Sequence, residues 1–324
     1  MRPDSDTIAK VLTLSQAEVT SVLDLDRLLE ALEDGFRALS SGKVEVPGRT
    51  AVTAENSGML LSMPGYGAGL GLGVKLVSLF PHNHSAGLPS HQALIALFDP
   101  GTGSPVALMD GTRITAIRTA GAAAVSVRLL ARDDAKVLAI VGGGVQGHAH
   151  LEIFPRVRDF REIRITSRSA DSAKKLAAMH PQARAVDSFE DAVRGADVVA
   201  LCTHSPSPVI EREWVSPGTH VTSVGYSAPH GELDRALAEA ANLFVELRAA
   251  AFLPPPAGCM ELAGMDPERA TEIGEVLLGK RPGRRSRDEI TVYKSMGHAV
   301  EDLAAAALVY REALARGVGS TVEL

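Results

Sequence analysis

The chain is short of the features that would cross-link it or place it in a membrane. It has two cysteines, Cys202 and Cys259, without metal-type spacing, so neither a disulfide frame nor a zinc frame is expected. No run of about 18 apolar residues occurs, the length a membrane-spanning helix needs. The stretch 299–309 is apolar-rich, but Glu301 and Asp302 interrupt it and "YRE" ends it. The opening "MRPDSDTIAK" has no apolar signal core, so the expected compartment is the cytoplasm. There is no dense basic stripe and the formal net charge is −6. A nucleic-acid partner is therefore unsupported, although a small anion needs only local positive charge. The richest basic run, "GKRPGRRSRDE" (279–289), carries Pro and Gly and reads as a solvated loop. Internal repeats and low-complexity segments are absent from the sequence.

What is there is an ordinary globular composition, 45% apolar and 22% charged over 324 residues. That is enough for one large domain or two with real cores. Leu28, Leu32, Phe36 and Leu39 recur every three or four positions, with Asp24 able to cap the start and Gly42 the end, which predicts an amphipathic helix over 23–39. From Val44 to Met109 short apolar runs alternate with Gly, Pro and Asn turns: "RTAVTA", "GMLLSM", "LGVKLVSLF", "QALIALF", "PVALMD". This predicts a mainly antiparallel sheet. The small residues of "GTRITAIRTAGAAAVSVRLLA" predict a closely packed helix. After Asp134 the rhythm becomes strand, helix, strand. The continuous apolar runs "KVLAIVG", "EIRITS", "DVVALCT", "HVTSVG" and "NLFVEL" between helices indicate a parallel sheet covered on both faces. The string "VYKSMGHAVEDLAAAALVYREALARG" predicts a last long helix closing the chain.

Gly142, Gly144 and Gly147 fit G-x-G-x-x-G in the right setting, after the strand 136–141 and at the start of a helix. Gly142 allows a tight turn. Gly144 lets the backbone approach a pyrophosphate, and the helix N-terminus offers that anion free N–H groups and positive dipole. An NAD site of this kind ends its second strand in an acid that bonds the ribose hydroxyls. Here the strand ends in Ser167, Arg168 and Ser169. The serines can donate to a 2′-phosphate and the arginine can pair with it, so the expected cofactor is NADP(H) in preference to NAD(H). The competing reading of Arg168 is a solvent-exposed residue after a strand.

Three basic residues stand alone in apolar or small-residue strings: Arg49 in "VPGRTAV", Lys75 in "LGVKLVSLF" and Arg118 in "TAIRTAGAAA". A cation there is costly to bury without a partner. Singly, each reads as a structural ion pair or a snorkelling side chain. Together, beside a dinucleotide fold, they suggest a cradle for a substrate carboxylate. "FPHNHSAGLPSH" clusters His82, His84 and His91, but it is loop-like and lacks acidic ligands, so no metal is expected. His91 reads as a substrate or packing residue opening a strand.

The strings "RTAV", "GVKLVSLFP", "GLPSHQALIALFDP", "MDGTRITAIRTAGAAA", "VGGGVQ", "GADVV", "EWVSPGTHVTSVG", "GELD" and "VYKSMGHAVED" together resemble the ornithine cyclodeaminase/mu-crystallin family, nearer its ketimine reductase branch. The resemblance covers nearly the whole chain. It implies an α/β homodimer in which a Rossmann domain, 119–298, is inserted into an α+β substrate and dimerisation domain, 1–118 with 299–324. It implies that Arg49, Lys75 and Arg118 hold a substrate carboxylate beside the nicotinamide. It also implies that Gly144, Val145, Gln146, Ser167, Arg168, Ser169, Thr203 and Val224 hold the dinucleotide. Met63 and His91 complete the candidate substrate set. Thr119, Gly142, Gly147, Cys202, His204, Gly225, Met296 and Gly297 complete the candidate cofactor set.

Two departures from the family pattern matter. Cyclodeaminases carry an Asp shortly after "VG", whereas this chain reads "VGYSAPHGELD" and has Ser227 there; Asp234 matches a different, helix-starting Asp. A serine cannot serve as a carboxylate base, which disfavours ornithine cyclisation. "RAAAFLPPPAGCME" is unlike the family's helical stretch, and its prolines argue for a loop. The expected activity is NADPH-dependent reduction of a 2-imino acid, such as Δ1-piperideine-2-carboxylate or Δ1-pyrroline-2-carboxylate. Lys75 and Ser227 are the candidate catalytic residues. The alternatives are an alanine dehydrogenase-type enzyme, a cyclodeaminase, or a protein that binds NADPH and a small ligand without turnover.

Overall fold

A computed structural model describes residues 10–255 and 257–323. The signal-peptide reading thus falls almost wholly outside the described residues, as do Pro256 of the proline loop and the side chain of His84. The chain begins β1 (Lys10–Leu14), α1 (Gln16–Val22), α2 (Leu25–Ser40), β2 (Val44–Glu45), β3 (Thr50–Thr53), β4 (Met59–Gly67) and β5 (Gly71–Leu79). It continues through β6 (His91–Phe98), β7 (Pro105–Asp110), α3 (Thr112–Leu130), β8 (Val137–Val141), α4 (Val145–Ile153), β9 (Glu162–Thr166) and α5 (Ala170–Ala177). Next come β10 (Ala183–Ala185), α6 (Phe189–Val193), β11 (Val198–Leu201), β12 (His220–Ser223), α7 (Arg235–Ala240), β13 (Asn242–Val245) and α8 (Arg248–Ala251). The chain closes with β14 (Ala270–Glu272), α9 (Ile273–Leu277), β15 (Thr291–Lys294), α10 (Ala299–Arg316) and β16 (Ser320–Glu323).

Two compact units result. One takes the residues up to Ala31, Gly42–Thr115 and the chain from Ala299 on; the other takes Leu32–Ser41 and Ala116–His298. The boundaries cut α2 and α3, so 32–41 and 116–118, assigned above to the outer domain, group with the inserted unit. In α2 the expected helix forms, with the Asp24 carboxylate accepting from the Arg27 N–H at 2.9 Å.

The first unit is an eight-stranded sheet in the order β16-β1-β7-β6-β5-β4-β2, with β3 also paired to β4. Its neighbours run antiparallel except β1 and β7. One register row crosses it: Leu14, Met109, Ile95, Lys75 and Met63. All five are buried, and Lys75 is the charged member. Leu303 of α10 packs on this face over Gly65 and Gly73, where a Cβ would lie 3.0 Å from its methyl groups. The opposite face carries Val52, Leu60, Tyr66, Leu76, Leu94 and Leu108, all exposed in the single chain, with Leu76 paired to Leu94.

The second unit is an eight-stranded, wholly parallel sheet in the order β10-β9-β8-β11-β12-β15-β13-β14. All four residues of β11 are buried, as expected for a strand covered on both faces. The fold class is thus the expected one: α/β, with a Rossmann-type parallel sheet inserted into an α+β unit.

The string from Val292 does not open as helix: β15 lies there, between β12 and β13, and α10 starts at Ala299. The buried run Thr291–Tyr293 is β-branched and aromatic and pairs on both sides, while Gly297, at φ +72°, ends the extended run before the helix. Nor does helix close the chain, since β16 follows. The basic loop is not merely solvated: Arg284 is half-buried and donates to the Leu130 carbonyl at 2.6 Å and to Thr291 Oγ1 at 3.0 Å.

Candidate functional site

The glycine loop begins where β8 ends. Gly142 has φ +128°, and a Cβ there would lie 2.6 Å from the Cys202 carbonyl oxygen. At Gly147 a Cβ would sit 2.0 Å from the Gly142 carbonyl oxygen, so α4 can approach the loop only without a side chain. Gly144 caps α4, and a Cβ there would meet no atom within 4 Å. Protein packing therefore gives no reason for glycine at that position, whereas a ligand lying on the backbone does. Val145 is exposed in the first turn, and Gln146 Oε1 is buried without a hydrogen-bond partner. These features fit a dinucleotide pyrophosphate at the helix N-terminus.

Ser167, Arg168 and Ser169 follow β9. Arg168 is exposed and makes no ion pair among the described residues. Ser169 caps α5, its hydroxyl oxygen accepting from the Ser172 N–H at 3.2 Å, which leaves the hydroxyl hydrogen available to an anion. Cys202, Thr203 and His204 follow β11, and Val224 and Gly225 follow β12, so these candidates line the carboxyl ends of adjacent parallel strands. Burial, reinforced by the Glu232 charge, pushes the Cys202 thiol well above its usual range, so it is no nucleophile.

In the first unit, β4 and β5 bring Met63 and Lys75 opposite each other. Lys75, 3% exposed, donates from Nζ to Asp302 Oδ2 of α10 at 2.7 Å. Asp302, which interrupts the apolar run of α10, is thus the counterion that lets a lysine occupy an apolar row. Sequence reasoning missed this role; a carboxylate inside the apolar string "AVEDLAAAALV" was the available signal. Arg49 precedes β3, whose first residue Thr50 pairs with Ser62, the neighbour of Met63. His91 opens β6 as expected and is exposed, its Nδ1 3.1 Å from Ser90 Oγ.

In the second unit, Arg118 and Gly297 are brought together. A Cβ on Gly297 would lie 2.5 Å from the buried Arg118 guanidinium. The Met296–Gly297 turn is held by Glu246, a buried residue that sequence reasoning also missed. Its carboxylate accepts from the Gly297 N–H at 2.9 Å, the Met296 N–H at 3.3 Å and the Ser295 hydroxyl. Thr119 is buried next to Arg118 on α3. Ser227 is half-buried in the turn after β12, where its carbonyl accepts from the Gly231 N–H at 2.9 Å. Asp234 caps α7, the helix-starting role expected of it. After the four-residue α8, the proline segment leaves helix, as its prolines predict. Among the described residues, no group of three or more His, Cys, Asp or Glu side chains could hold a metal, and no helix is long and apolar enough to cross a membrane.

A parallel sheet whose first strand runs into a glycine loop, inserted in a unit that buries a lysine–aspartate pair, defines a Rossmann dinucleotide-binding domain carried by an α+β unit. The ornithine cyclodeaminase/mu-crystallin family model matches residues 9–317, and the chain belongs to that family. It is 41% identical over 286 residues to ketimine reductase mu-crystallin of Mus musculus, covering 87% of this chain and 90% of that one. A solved structure of Thermococcus litoralis Delta(1)-pyrroline-2-carboxylate reductase, in complex with NADH and L-proline, superposes with a TM-score of 0.90 at 34% identity, covering 96% of this chain and 100% of that one. An archaeal alanine dehydrogenase dimer with bound NAD superposes with a TM-score of 0.87 at 33% identity, covering 97% and 99%.

Proposed function

We propose that this protein reduces the C=N bond of a 2-imino acid to the amino acid, with NADPH as the preferred donor. Cyclic ketimines of the Δ1-piperideine-2-carboxylate and Δ1-pyrroline-2-carboxylate type are the substrates. The observation that carries the reading is Lys75: a buried ammonium with Asp302 as its counterion, in an otherwise apolar row. Arg49 and Arg118 bind the substrate carboxylate. Lys75 orients the imine nitrogen and relays the proton it needs, because an iminium accepts hydride far better than a neutral imine. Ser227 hydrogen-bonds that nitrogen or a water beside it. Met63 and His91 shape the substrate side.

The nicotinamide, when bound, supplies the hydride. Gly142, Gly144, Val145, Gln146 and Gly147 hold the pyrophosphate; Thr119, Cys202, Thr203, His204, Val224, Gly225, Met296 and Gly297 hold the rest of the dinucleotide. The Thermococcus litoralis relative is in complex with NADH, whereas Ser167, Arg168 and Ser169 present an unpaired cation and two hydroxyls where an acid would select NADH. The cation and the missing acid at the end of β9 support NADPH here. The serine at 227 removes the carboxylate that ring closure with ammonia loss requires, which supports reduction over cyclodeamination. A homodimer is supported by the exposed apolar sheet face of the first unit and by the dimeric archaeal alanine dehydrogenase.

The test is NADPH and NADH consumption by the purified protein against the two cyclic ketimines and against pyruvate with ammonia or methylamine. NADPH-preferring turnover of a cyclic ketimine is expected. Ammonia release from ornithine would favour the cyclodeaminase, and turnover of pyruvate with ammonia alone the dehydrogenase. Tight NADPH binding with no turnover across the panel would overturn the enzyme reading.

A further inference from the structure

Glu232 of "GELD" is wholly buried and belongs to neither candidate set. Its Oε2 accepts from the Thr203 N–H at 2.6 Å and from the Thr203 hydroxyl at 2.7 Å. Its Oε1 accepts from the Gly225 N–H at 2.7 Å and from the Ser223 hydroxyl at 2.9 Å. One carboxylate thus joins the segment after β11 to the segment after β12. The two backbones touch, since a Cβ on Gly225 would lie 1.8 Å from the Thr203 carbonyl oxygen. With the Gly142–Cys202 approach, the ends of β8, β11 and β12 form one continuous edge of backbone. In open parallel sheets, ligands bind at the carboxyl ends of the strands.

The other side of this network is also built. Lys294, itself wholly buried, donates to the Gly225 carbonyl at 2.7 Å, Glu261 Oε1 at 3.0 Å and Ser223 Oγ at 3.1 Å. Gly225 is therefore gripped from both its N–H and its C=O. An ionised carboxylate only accepts, and the four groups facing Glu232 all donate to it. A neutral amide there would turn its own N–H groups against donors and leave buried groups unsatisfied.

We propose that Glu232 is a positioning residue for the dinucleotide: it fixes Thr203 and Gly225 in the arrangement that binds the cofactor, acting through them without touching it. The inference rests on the dinucleotide reading above. It is tested by titrating full-length wild type and Glu232→Gln with NADPH and with NADH, following dinucleotide fluorescence, beside circular dichroism and Tm. The expected result is a folded variant whose dissociation constants for both dinucleotides rise about 10-fold or more, with the ketimine KM at saturating NADPH changed by less than about twofold. A lowered Tm with both dissociation constants within about twofold of wild type overturns the role and leaves Glu232 merely structural. If Glu232→Gln does not fold, Ser223→Ala decides, because it deletes one donor to Glu232 at a residue outside the candidate binding set. A rise of about threefold in both dissociation constants upholds the role, and no change overturns it. A wild type that binds neither dinucleotide sinks the cofactor reading and this role with it; binding by wild type with unaltered variants sinks the role alone.

Discussion

The two sheets of this protein solve the same problem in opposite ways. The parallel sheet buries both faces of its central strands, and at the strand ends Glu232, Glu246 and Lys294 organise turns. The outer sheet covers one face with α10 and leaves the other open, with Val52, Leu60, Leu76, Leu94 and Leu108 exposed on a single chain. Its buried face accepts the Lys75 ammonium, with Asp302 against it. On the proposed function, the difference separates two jobs. A sheet finished on both sides is a rigid frame for loops, whereas a half-covered sheet can carry chemistry on its inner face and recruit a second copy with its outer one.

Lys75→Met removes the cation of the inner face; kcat/KM for the ketimine is expected to fall by about 100-fold or more while NADPH affinity holds. Near-normal turnover would show that the outer unit carries no chemistry. Leu94→Asp places a charge in the open face. Analytical ultracentrifugation should show the dimer dissociation constant raised by about 30-fold or more, and an unchanged association would mean that this face does not pair. Arg168→Ala probes the frame unit instead. It should cost about 10-fold or more in kcat/KM with NADPH and little with NADH, and an equal loss with both would contradict a 2′-phosphate contact.

Burial lowers the His150 pKa to about 4 and the His220 pKa to about 3, from an ordinary value of 6.5. Both are neutral in the native protein near neutrality. As pH falls below 6.5 the unfolded chain takes up protons that the native state refuses, so stability is lost progressively toward pH 4 and pH 3. At pH 5 the loss is about 2 kcal/mol for each histidine. Tm measured at pH 7 and pH 5 should fall, and His150→Leu should flatten that slope whatever it does to the Tm itself. An unchanged slope would place the acid-sensitive groups elsewhere.

Much of the fold was legible because its signals are local. Alternation in 44–109, unbroken apolar strands after Asp134 and glycines at the strand-to-helix turn each act within a few residues. The Ser-Arg-Ser ending of β9 was readable for the same reason, since charge at one strand end needs no distant partner to be noticed. β15 is hidden in a helix-like string because its four buried residues carry too little periodicity to compete with the long helix after them. The Lys75–Asp302 pair spans 227 residues and the Glu232–Thr203 bonds span 29, distances over which a one-dimensional pattern carries no information about contact.

The sequence alone determined the layer types, the dinucleotide turn, the absence of an acid at the second strand and the set of embedded cations. These follow from backbone sterics, side-chain periodicity and formal charge, which every residue carries with it. Tertiary structure alone decided which carboxylates neutralise or clamp those parts: Asp302 under Lys75, Glu246 at the Met296–Gly297 turn, and Glu232 between two strand ends. A buried charge is tolerated only where a partner arrives from elsewhere in the chain, and that arrival is a property of the packed sheet.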